Sequence, residues 1–129
     1  MFSHVMIGAN DLEASRKFYD AVLGTLKIAP GVINNEIRYF YRSPKGSFSI
    51  TKPIDGQAAT AANGGTIGFI AETPEQVQAF HAAGIANGGT TCEELPGPRQ
   101  GPFGALYLAY LRDPSGNKIC ALHRPSKPA

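Results

Sequence analysis

Two helix-start signals lie 62 residues apart in this chain, each behind a short apolar strand candidate, and that repetition limits the folds open to it more than any other feature. The first is Asn10-Asp11 before Leu12, where Asn10 or Asp11 can cap a helix and Glu13 stands where a capping-box acid belongs if Asn10 is the cap. Leu12, Phe18, Tyr19, Val22 and Leu23 then recur at helical spacing until Gly24. The second is Thr73-Pro74-Glu75-Gln76, a T-x-x-Q box with proline at the first helical position, followed by Val77, Phe80 and Ile85 and stopped by Gly88-Gly89. Sliding the first half forward by 62 residues sets Asp11 on Thr73, Phe18 on Phe80 and Ala21 on Ala83.

Around each helix the strand candidates fall in the same order. Residues 3–9 precede the first helix, and TLKIAP, EIRYFYRS and GSFSITKP follow it, separated by turn formers. TIGFIA precedes the second, and TTCEEL, ALYLAYLRD and NKICALHR follow. Both halves read β-α-β-β-β, joined by an Ala/Gly/Thr/Asn-rich linker over 55–65. The fold class is therefore α+β, one domain over 1–129 built from repeat 1 (about 1–54) and repeat 2 (about 64–124), with a single α+β unit of coincidental order as the alternative. A length of 129 residues with 43% hydrophobic residues suits one sizeable core.

Charge and targeting signals exclude several function classes. The formal charge is +2, from 12 basic and 10 acidic residues spread along the chain with no basic run, so nucleic acid is not an expected partner. No stretch approaches a membrane span, and MFSHVMIGAND lacks the basic region of an export signal. Two cysteines, Cys92 and Cys120, are most simply free thiols of a cytoplasmic protein. P-loop, G-x-G-x-x-G, G-x-S-x-G and H-E-x-x-H motifs do not occur.

The chain resembles the vicinal oxygen chelate superfamily, which includes glyoxalase I, extradiol dioxygenases, bleomycin-resistance proteins and fosfomycin-resistance enzymes. The resemblance rests on HVMIGANDLEASRKFYDAVLGTL, on the restart GGTIGFIAETPEQVQAFHAAG and on the closing LRDPSGNKICAL, whose D-P-x-G-N-x-I is the most specific part. It implies two tandem βαβββ modules curling a mixed sheet around a cup, commonly closed by pairing two chains into a homodimer. It also implies a divalent metal (Zn, Fe, Mn or Ni) held by residues on the first and fourth strands of each half. Carried onto this chain, those places fall on His4, Ser49, Thr66 and Cys120. His4 is the one expected ligand, Cys120 a soft second, and Ser49 and Thr66 are weak neutral donors, so the metal set is incomplete. His4 as a hydrogen-bonded histidine and Cys120 as a small buried strand residue are the alternatives.

Strand alternation sketches the lining of the cup. If His4 faces inward, so do Met6, Gly8, Thr66, Gly68, Ser47, Ser49 and Thr51, while Val5, Ile7, Phe48 and Ile50 pack under the helices. Tyr39 and Tyr41 share one face of their strand and Arg38 and Arg42 the other; Tyr107 and Tyr110 point to opposite faces, so one of them approaches the cup. These aromatics are expected to sandwich a flat ligand or to pack at an interface. ELPGPRQGPFG (94–104) reads as a lid or binding loop that carries Arg99 toward an anionic group, or as solvated loop. Three functions follow: a small-molecule-binding protein with a reduced or absent metal site; a lyase, isomerase or dioxygenase using His4, assisted by Tyr107, Tyr110 or Cys120; and a structural dimer with a filled cup.

Overall fold

A computed structural model, which describes residues 1–125, traces β1 (His4–Gly8), α1 (Leu12–Gly24), β2 (Val32–Asn34), β3 (Arg38–Ser43), β4 (Gly46–Thr51), β5 (Ile67–Ile70), α2 (Pro74–Ala86), β6 (Thr90–Gly101), β7 (Gly104–Arg112) and β8 (Lys118–His123). The strands form two sheets in the orders β1-β4-β3-β2 and β5-β8-β7-β6. Within each, the first strand runs parallel to the last and the other pairings are antiparallel. The repetition extends to register: Met6 lies opposite Ser49 and Ser49 opposite Phe40, as Gly68 lies opposite Cys120 and Cys120 opposite Tyr110. Two tandem βαβββ modules are thus present.

Local chemistry sets the helix ends. Asp11, not Asn10, caps α1 by accepting from Ala14 N at 3.0 Å. The Asn10 amide is used elsewhere: it donates to Ala59 O and accepts from Ala59 N, which fastens the linker to the end of β1. In α2, Thr73 accepts from Gln76 N at 3.1 Å, while the Gln76 side chain reaches back one residue beyond the cap and accepts from Glu72 N. Leu12, Ser15, Phe18, Tyr19, Val22 and Leu23 form the buried stripe of α1, and Val77, Phe80 and Gly84 that of α2.

Two expected elements differ. TLKIAP is not a strand: the amides of Thr25, Leu26 and Lys27 return to Val22, Leu23 and Gly24 carbonyls and Lys27 takes φ 66°, so this stretch winds off the helix and burial of Leu26 fixes it there. The second strand is only Val32–Asn34. ELPGPRQGPFG is not a free loop either, because β6 continues through it and pairs with β7 from Gly97 to Gly101 after a bulge between Cys92 and Gly97, where Glu93 has φ 58°. Its prolines are tolerated because β6 is an edge strand.

The helices pack on one face of each sheet and against each other, so one core serves both modules. Phe48 and Ile50 from β4 and Ile119 and Ala121 from β8 all lie in that core, with Phe48 meeting Phe69 edge-on at 5.1 Å between ring centroids. The second module is also tied to the first through polar groups: Tyr19 donates to Asp113 Oδ2 at 2.6 Å and Asn117 Nδ2 donates to Gly8 O at 2.9 Å. No described helix is long and apolar enough to cross a membrane.

Candidate functional site

Packing of one face against the helices leaves the other face of each sheet open, and strand alternation assigns its residues. On the first sheet three rows cross from β1 to β3: His4, Ser47 and Arg42; Met6, Ser49 and Phe40; Gly8, Thr51 and Arg38. On the second, Gly68, Cys120, Tyr110 and Cys92 form one row, and Ile70, Leu122 and Leu108 another.

The expected metal positions lie as register demands, but their donors are weak. His4 is exposed, and its Nδ1 lies 2.8 Å from Ser3 Oγ. Ser49 is fully buried and donates to Val5 O at 3.3 Å. Thr66 is exposed just before β5. Cys120 is buried beneath Gly68, and a Cβ added there would sit 3.2 Å from its sulfur. Burial pushes the Cys120 thiol up to about 11. Among the described residues no three His, Cys, Asp or Glu side chains come together as a metal set.

The aromatic residues divide differently from the expectation. Tyr39 and Tyr41 lie on the helix side, donating to Glu13 at 2.7 Å and Asp20 at 2.8 Å, so they cannot sandwich a ligand in the cup. Tyr107 also faces a helix and accepts from Gln78 Nε2 at 2.7 Å. Tyr110 is on the open face beside Cys120, its hydroxyl raised above the usual phenol range first by burial, with the Lys118 ammonium 4.8 Å from its ring centroid. Lys118 is in turn ion-paired with Glu93. Arg99 is on the open face, opposite Leu106, but its guanidinium folds back on the bulge, donating to Leu95 O at 2.8 Å with Glu94 at 3.8 Å. The other histidines are occupied away from these faces: His81 lies 3.0 Å from Thr91 Oγ1 and His123 3.2 Å from Ala71 O.

Phe40 and Arg38 complete the open face of the first sheet. The alternation of β3 sets Arg38 on the face opposite to Tyr39, as the sequence pattern predicts. Beyond the strand ends, a depression of about 550 Å³ is lined by Ala9, Asn10, Ile37, Lys52, Pro53 and Ile54, among others, and another of about 380 Å³ shares Asn10 and Lys52 with it.

Comparison with known proteins agrees with this architecture. Residues 1–121 match the family described as the Glyoxalase/Bleomycin resistance protein/Dioxygenase superfamily. A lactoylglutathione lyase of Haemophilus influenzae is 30% identical over 121 residues, covering 90% of this chain and 87% of that protein. Among solved structures, a glyoxalase/bleomycin resistance protein from Albidiferax ferrireducens T118 is 73% identical with a TM-score of 0.94, over 96% of this chain and 99% of that one. A lactoylglutathione lyase from Agrobacterium tumefaciens, 20% identical with a TM-score of 0.65 over 95% and 92% of the two chains, shares the fold.

Proposed function

Since the chain belongs to the Glyoxalase/Bleomycin resistance protein/Dioxygenase superfamily, we propose that it binds a small molecule on the open faces of its sheets, with a metal set reduced to His4 and Cys120. The observation that carries this reading is the donor chemistry: the four positions the resemblance implies offer one imidazole, one buried thiol and two neutral hydroxyls. A catalytic zinc or iron site ordinarily uses three strong protein donors. His4 and Thr66, the two exposed residues of the four, can hydrogen-bond a ligand, and the apolar side chains of Met6 and Phe40, in the row of the buried Ser49, suit the body of an organic ligand. Pairing of two chains belongs to this reading, supported by the exposure of Ile70 on the open face of the second sheet and Leu95 on the bulge.

The test is an amide-detected nuclear magnetic resonance screen of small molecules against chelator-treated protein. Binding that moves the amides of Met6, Phe40 and Tyr110 supports the reading; hits that move only helix-side amides contradict it. A second reading, metal-dependent lyase, isomerase or dioxygenase activity through His4, is favoured by the similarity to the Haemophilus influenzae lyase. For that reading, His4→Ala must abolish turnover of the substrate while leaving the thermal midpoint unchanged.

A further inference from the structure

We propose that the open face of the first sheet is an anion site, in which Arg38 holds a carboxylate of a ligand whose flat apolar body lies on Phe40 and Met6. This rests on the small-molecule reading above and adds the class of ligand. Arg38 is half-buried and its Nε is buried without a hydrogen-bond partner, a donor left unsatisfied until an acceptor arrives. None of the five ion pairs among the described residues includes Arg38 or Arg42, and Glu13 and Asp20 engage Arg16 on the helix side. No carboxylate lies in the three rows of the open face.

The duplicated module shows that the fold itself does not require this arginine. By register, the counterpart of Arg38 is Leu108, which sits 3% exposed in an apolar row with Leu122 and Ile70. The second sheet's cations are already satisfied: Arg99 faces Glu94, Lys118 pairs with Glu93, and Arg112 donates to Gly116 O. Arg38 and Arg42 are four residues apart on one strand, roughly 13 Å at ~3.3 Å per residue, with Phe40 between them. A planar carboxylate matches the guanidinium fork, and an aromatic or unsaturated body matches the apolar row.

The probes are 2-naphthoate and its neutral analogue 2-naphthamide, titrated into the full chain by calorimetry with amide shifts recorded in parallel. Naphthoate is expected to bind at least tenfold more tightly than naphthamide, and Arg38→Gln to remove that preference while leaving naphthamide affinity unchanged; Arg112→Gln should keep it. Arg38→Met should hold or raise the thermal midpoint, whereas an arginine retained for structure would lower it. Equal affinity of the two probes for the unsubstituted chain, or a preference that survives Arg38→Gln, overturns the anion site and leaves the small-molecule reading standing. Failure of both probes to bind the open face counts against both.

Discussion

The carboxylate of Asp113 accepts from Tyr19, Ser115 and Asn117, the last through both its backbone and its side chain, and so joins the turn after β7 to the middle of α1. Asp113→Ala would leave the Tyr19 hydroxyl buried without an acceptor, and urea titration should show a loss of about 2–3 kcal/mol; Tyr19→Phe, which removes the donor instead, should cost about 1 kcal/mol. The D-P-S-G-N segment is therefore a clasp between the modules. At Cys120 a raised thiol makes a kinetic prediction: with a value of about 11, roughly one molecule in a thousand is thiolate at pH 8. Native protein should consequently label at Cys92 well before Cys120, and equal labelling would contradict the burial of Cys120. Cys120, Tyr19 and Tyr41 all have acid groups raised in the folded state, so the stability they contribute is complete below the unfolded values and declines as pH rises through about 9 toward the folded ones. Urea midpoints should fall between pH 9 and 11.

Each helix begins where a side-chain oxygen can serve its free amides, and both caps were legible because capping is local chemistry. Gly84 shows what was not. A glycine inside α2 looks unfavourable by propensity, yet a Cβ there would stand 2.4 Å from Leu111 Cδ1 and 3.2 Å from Phe18, both fully buried. Gly84→Ala should therefore destabilise by about 1–3 kcal/mol despite the helix propensity of alanine; a rise in thermal midpoint would show that the packing of α2 on Leu111 and Phe18 can yield. Contacts of this kind join distant segments, and no window of sequence contains them. The same reason explains TLKIAP, whose apolar residues suit a strand until burial of Leu26 beneath the helix end is known. It also explains residues 94–104: composition suggested a loop, while pairing with β7 across the hairpin made them strand. Face assignment on β1 and β4 was readable from alternation alone. For β3 alternation gave the two faces but not which one met the helix, and only the bonds of Tyr39 and Tyr41 to α1 decide it.

At the scale of the whole molecule, duplication has produced two sheets with matching registers and unlike open faces. The fold needs the helix-side residues of both, and the buried ones form one shared hydrophobic core. The open faces carry the differences: a basic, apolar-centred face on the first sheet, and on the second a row of Gly68, Cys120, Tyr110 and Cys92 beside an apolar one. Where the family resemblance implies metal-holding residues, Ser49 and Thr66 offer neutral hydroxyls, and the proposed function is accordingly recognition through Arg38 and the apolar row, with the metal set reduced. Metal content tests the reduced set. Protein purified without chelator, incubated with zinc, iron, manganese or nickel and then desalted, should retain far less than one equivalent of each by plasma mass spectrometry; one tightly held equivalent per chain, lost in His4→Ala, would contradict it.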